Sequence, residues 1–122
     1  MKDSSGACPC GSGAILIECC LPYIRQERVA STACILMRSR YSAYALGYEQ
    51  FLLDSWHHST RPQSVRLDPA IQWIRLKIAD AESLADHVEF VATFKLNGKA
   101  HTLREKSRFI LEKGSWYYLE AV

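Results

Sequence analysis

No apolar run in this chain approaches the ~20 residues that a membrane-spanning helix needs. The first 20 residues lack a basic start followed by an apolar core, so a secretory signal is not expected there. Internal repeats and low-complexity tracts are missing, and nothing points to a repeat architecture or a disordered tail. Excess charge of one sign is also missing. The formal net charge is only +2, too small an electrostatic footprint to predict a specific nucleic-acid partner. No nucleophile is paired with a recognisable base, so the sequence leans against an enzyme and no residue takes a catalytic role.

What is present is a globular composition, 48% hydrophobic and 23% charged, in 122 residues, the size of one domain. Four of the five cysteines fall between positions 8 and 20, spaced C-x-C-x8-C-C. Cysteines without an export signal suggest a reducing, cytoplasmic setting, where such clusters are more often metal ligands than disulfides. Zinc takes four ligands tetrahedrally. Cys8 and Cys10 can reach one metal across a tight turn that Gly11 and Gly13 permit, and the next eight residues return to deliver Cys19 and Cys20. Four protein ligands leave no open position, so the expected cofactor is one structural Zn²⁺. Two disulfides or four separate thiols are the alternatives. Four thiolate charges against two on the metal would bring the net charge of +2 to zero. Cys34 reads as a small buried hydrophobe rather than a redox partner.

The pattern predicts a knuckle over residues 1–25, with residues 1–7 frayed, and a second unit over 31–122. Leu21 to Ala30 reads as a connector in which Pro22 limits regular structure. Thr32 should cap a helix that runs to Leu46 and stops at Gly47. A short helix over Tyr48–Ser55, a polar loop at 57–62 and one helical turn capped by Asp68-Pro69 follow. The period then changes to two. Ile74, Leu76 and Ile78 alternate with charged residues as a strand. A turn near Ser83–Asp86 leads to a strand over Val88–Leu96, a hairpin at Asn97-Gly98, a strand over Ala100–Leu111, a turn at Lys113-Gly114 and a strand over Trp116–Glu120. Helices first and a four-stranded meander after make an α+β fold, with helices on one face of a curved antiparallel sheet that forms a cone.

Two charges break the pattern. Arg40 lies within the apolar stripe of the first long helix, and Glu105 shares a strand face with Leu103, Ser107 and Phe109. An unpaired buried charge is costly, so Arg40 and Glu105 are expected to approach each other inside the cone. Tyr41, Tyr44, Trp56, His57 and Ser107 complete the candidate pocket. One reading is a polar anchor for a ligand; the other is a core ion pair that fixes helix register. His57 and His58 are either acid/base groups or ordinary loop contacts.

The run Cys8-Pro9-Cys10-Gly11-Ser12-Gly13 with Cys19-Cys20 resembles the SEC-C motif, known at the C-terminus of the SecA preprotein translocase. Leu36-Met37-Arg38-Ser39-Arg40-Tyr41-Ser42-Ala43-Tyr44, then Trp56-His57 with Ser59-Thr60-Arg61-Pro62, resemble the YchJ family of uncharacterised bacterial proteins. So do Val88-Glu89-Phe90, Glu105 with Ser107-Arg108-Phe109, and Gly114 with Trp116-Tyr117-Tyr118. The resemblance implies a zinc knuckle followed by a cystatin-like cone similar to nuclear transport factor 2. The chain departs from the family pattern at His58, where Pro is usual, at Arg104 for His, and at Ser115 for Arg. Longer members carry a second SEC-C motif; these 122 residues hold one. In SecA the motif contacts the chaperone SecB and ribosomes, so the resemblance implies a protein-binding adaptor with a partner of that kind. A small-ligand-binding or enzymatic cone is the alternative. An adaptor predicts an exposed apolar or basic patch at the knuckle and a filled cone. A pocket protein predicts an open cavity lined by Arg40 and Glu105.

Overall fold

The computed structural model describes residues 6–80 and 86–122, and its first described stretch is a tight loop. The remainder of the frayed start expected at 1–7, and Ser83 to Ala85 of the expected turn, lie outside the described residues. Cys8 N donates to Ala14 O at 2.9 Å and Leu16 N to Gly6 O at 2.8 Å. Gly11 and Gly13 turn the chain at φ of 79° and 93°, in the region that only glycine enters freely. A 3-10 turn, Leu16–Glu18, leads to helix α1, Leu21–Ile24. This corrects the expected connector. Pro22 falls in the first turn of α1, where its missing N–H costs nothing, and Leu21 and Ile24 are buried.

Helix α2 spans Ala33–Leu46. Its ends are those the sequence predicts: Thr32 Oγ1 accepts from Ile35 N at 3.1 Å, and Gly47 closes the helix in the left-handed region. Helix α3, Glu49–Asp54, follows at once. At Asp68-Pro69 there is no helical turn. The Asp68 carboxylate accepts from Ala70 N at 2.9 Å and its carbonyl from Ile71 N at 3.0 Å, a local turn that delivers the chain straight into the sheet.

Strands β1 (Ile71–Asp80), β2 (His87–Leu96), β3 (Lys99–Glu112) and β4 (Ser115–Ala121) form one antiparallel meander in the order β1-β2-β3-β4. Both two-residue turns have positive φ throughout, 54° and 79° at Asn97-Gly98 and 52° and 82° at Lys113-Gly114, which matches the twist of a tight hairpin. The alternation read for β1 needs correcting. Trp73 pairs with Phe94 and Arg75 with Thr93, so Ile74 is the extra residue of a bulge and stays exposed, while Leu76 is buried. Residues 55–57 lie along the β4 edge: Tyr118 N donates to Ser55 O and His57 N to Tyr118 O, both at 2.8 Å. That covers the β4 edge around Tyr118, which would otherwise be open to pairing.

The helices cover one face of the sheet. Leu36, Met37 and Tyr41 of α2 belong to one buried cluster with Leu76, Val88, Phe90, Ala92 and Phe109. Cys8, Cys10, Leu16, Cys20, Leu21 and Ile24 belong to the same cluster. Gly11 lies so close to β1 that a Cβ there would sit 3.4 Å from Leu76 O. The knuckle therefore packs into the common core and does not hang from it. No helix among the described residues is long and apolar enough to cross a membrane.

Candidate functional site

The tight loop, the 3-10 turn and α1 bring the sulfurs of Cys8, Cys10, Cys19 and Cys20 within 4.8 Å of one another. Cys10 and Cys19 Sγ are 3.6 Å apart, and Cys19 and Cys20 Sγ 4.0 Å. A tetrahedral site with Zn–S bonds of about 2.3 Å requires sulfurs about 3.8 Å apart, whereas a disulfide needs about 2.05 Å. The four residues fit a metal site and all are free thiols. Without a cation the cluster is in electrostatic conflict. Hydrogen bonds from Cys20 and Cys8 hold the Cys10 thiol well below its ordinary range. Its hydrogen bonds to Cys10 and Cys8, then burial, push Cys20 up, and burial pushes Cys19 up to about 11. A divalent cation removes that conflict, because it favours all four thiolates together.

Three residues besides the cysteines support the cluster, Ser12 within the motif and Arg38 and Ser42 outside it. Ser12 Oγ lies 3.0 Å from Cys19 Sγ and Ser42 Oγ 3.5 Å from Cys8 Sγ, while Arg38 Nη1 donates to Cys10 O at 2.9 Å. Outer contacts of this kind orient metal ligands. Sequence reading misses Ser42 and Arg38 in this role. The signal was the fully buried pair Ser39 and Ser42, small polar residues inside an apolar helix face.

A second site lies on the other side of α2. Arg40, Tyr41, Tyr44, Trp56, Glu105 and Ser107 line one cavity of about 260 Å³, together with Trp73, Phe90 and Tyr118 among others. Arg40 is only 3% exposed. Its Nη1 donates to Leu52 O at 2.8 Å and Ser55 Oγ at 2.7 Å. Its guanidinium carbon lies 4.6 Å from the Tyr118 ring centre and 5.1 Å from that of Trp56. The expected ion pair is not formed: no nitrogen of Arg40 lies within 4.0 Å of a Glu105 oxygen. The reason is the α3 C-terminus, which supplies acceptors directly beneath Arg40. Glu105 instead accepts from Ser107 Oγ at 3.2 Å. Burial lowers the Arg40 pKa to about 10 and raises those of Tyr41 and Tyr118 to about 12.

His57 is the predicted pocket residue that lies elsewhere. It is buried, but its Nε2 is 3.1 Å from Glu112 Oε1 and its Nδ1 2.7 Å from Ser59 Oγ. His58 Nε2 is 3.8 Å from the other Glu112 oxygen. Glu112 precedes the β3–β4 turn, 55 positions from His57, so nothing local in the sequence announces the contact. Arg104 pairs with Glu89 at 3.0 Å on the exposed side of β3. A His at that position would share the outer face, so this departure from the family pattern leaves the cavity untouched.

The family model described as "YchJ, middle NTF2-like domain" matches residues 32–121. A UPF0225 protein of Chromobacterium violaceum is 45% identical, across 99% of this chain and 96% of that protein. One from Deinococcus radiodurans is 44% identical, across 93% and 87%. Among solved structures, a SEC-C motif containing protein from Rhodopseudomonas palustris superposes with a TM-score of 0.84 at 29% identity, across 94% of this chain and 96% of that one. Another from Psychrobacter arcticus gives 0.76 at 25% identity, across 96% and 82%.

Proposed function

This chain belongs to the YchJ family, and on that premise we propose that it is a zinc-braced protein that binds a small molecule in the cavity beneath α2. The observation that carries this reading is Arg40: a buried guanidinium on the wall of a cavity of about 260 Å³, with no carboxylate of the described residues in ion-pair contact. A core ion pair that merely fixes helix register would have brought Glu105 onto it. A filled cone would have favoured the adaptor. The metal reading rests on the spacing of the four sulfurs and on the SEC-C neighbours; zinc is the ion that four tetrahedral thiolates suit best. Free thiols of this kind suit the reducing cytoplasm.

The test is a titration of the zinc-loaded protein with indole, following the tryptophan side-chain N–H signals by NMR. Trp56 and Trp73 line the cavity, whereas Trp116 does not. Shifts at Trp56 and Trp73 with Trp116 unmoved are expected. No shift, or a shift confined to Trp116, would count against a binding cavity.

A second reading has its own observation. Ile15 and Ile17 of the knuckle are 37% and 46% exposed, an apolar surface of the kind an adaptor would present. On this reading the knuckle contacts a protein partner, with a chaperone or the ribosome as the partner the SEC-C motif suggests. Recovery of ribosomes or a chaperone from bacterial lysate with zinc, and its loss with a chelator, is the result expected. Equal recovery in both arms would remove the metal from that contact.

A further inference from the structure

We propose that the ligand of this cavity is a small aromatic carboxylate that also carries an N–H or O–H donor, its carboxylate on Arg40 and its donor on Glu105. The inference rests on the cavity being a binding site. Among the described residues, the two hydrogen bonds that Arg40 donates, to Leu52 O and Ser55 Oγ, both use Nη1, and the Tyr44 hydroxyl lies near enough to favour the charged guanidinium. No buried side-chain polar atom among the described residues lacks a partner, so Nε and Nη2, which donate no hydrogen bond to the described residues, are not fully enclosed, and Arg40 lines the cavity. A guanidinium edge on a mostly apolar cavity wall is a planar double donor, the shape that a carboxylate matches with two parallel hydrogen bonds. Low local polarity strengthens that pairing. Burial holds the Arg40 pKa near 10, still well above neutral pH, so the group is cationic when the ligand arrives.

The rest of the wall selects the body of the ligand. Met37, Tyr41, Trp73 and Phe90 are apolar or aromatic, and Tyr41 and Trp73 already meet edge to face at 5.7 Å. The volume of about 260 Å³ falls below the usual pocket range of about 300–1,000 Å³ and excludes nucleotides and larger cofactors. Arg40 is the only cation among the described residues of the lining, which suits a single carboxylate better than a phosphate dianion. Among the described residues, Glu105 is the only carboxylate there. One of its oxygens takes the Ser107 hydroxyl, and the remaining acceptor sites would repel an anion but welcome a donor.

The experiment compares three probes with one body on the zinc-loaded full chain: indole-3-acetate, indole-3-acetamide and tryptamine, each read at Trp56 and Trp73. Indole-3-acetate should bind about ten-fold more tightly than the neutral amide, the worth of a charge-assisted hydrogen bond, with tryptamine weakest. Glu105→Gln takes away the charged acceptor of the indole N–H and should weaken indole-3-acetate binding. Arg40→Lys should weaken it, because the fork is lost. Equal binding of acetate and amide, or tightest binding of tryptamine, would overturn the carboxylate class and leave the cavity standing as a site. Equal or tighter acetate binding in Glu105→Gln would overturn the placement of the donor on Glu105, and unweakened binding in Arg40→Lys would overturn the placement of the anion on Arg40. If none of the three moves Trp56 or Trp73, the cavity itself is not a binding site and the inference falls with it.

Discussion

Arg40 sits where a charge is hard to keep, and its neighbours offset the cost only in part, as its pKa of about 10 shows. Replacing it by Met would remove that cost but strand the acceptors at Leu52 and Ser55. The two effects oppose, and Arg40→Met should cost about 1–3 kcal/mol in urea unfolding. A loss above about 5 kcal/mol would mark Arg40 as a core pin and not a ligand anchor. Burial raises the pKa values of Tyr41 and Tyr118 to about 12 and raises that of Tyr44. Unfolded tyrosines lose their protons near pH 10, whereas these keep theirs. Their contribution to stability is therefore complete below pH 10 and is lost as pH rises through about 12. Tyrosinate absorbance of the folded protein should still be climbing near pH 12; a titration finished by pH 10 would contradict the burial. Arg40 and Glu105 were legible in the sequence because each breaks an apolar pattern. Their separation was not, because the acceptors that hold Arg40 come from the end of α3, and helical period says nothing about which loop closes beneath it.

Helix α2 is the element that joins the two sites. Arg38 and Ser42, four residues apart, face the cysteines, while Arg40 and Tyr44, also four apart, face the cavity. Its caps were readable from Thr32 and Gly47 alone, and the two hairpins from Asn97-Gly98 and Lys113-Gly114, because cap and turn chemistry is local. Thr32→Ala deletes the bond to Ile35 N and should cost about 1 kcal/mol by chemical denaturation, with metal content unchanged. Metal loss in that variant would show that the cap and the cluster are coupled more tightly than their separation implies. The bulge at Ile74 was not legible. An apolar residue that is slipped out of register reads the same as one that alternates inward, and only the pairing with Phe94 and Thr93 separates the cases.

At the scale of the molecule, the α+β order was plain from segregated helical and strand periods, but the unity of the core was not. Leu16, Leu21 and Ile24 lie in stretches that read as knuckle and connector, yet they are buried with Leu36 and Met37. The cysteines consequently brace the helix that carries the cavity. Elemental analysis of reduced protein should find about one zinc per chain, and Cys19→Ser should lose it, since three thiolates no longer close the tetrahedron. The most direct measurement of this account is calorimetric unfolding of the zinc-loaded chain against the same chain stripped of metal under reducing conditions. A ligand that binds only the folded state stabilises whatever unfolds with its site. One shared core predicts a single transition that moves to lower temperature when zinc is removed. A main transition that stays in place, with a separate small transition for the first 25 residues, would show that the knuckle does not brace the cavity.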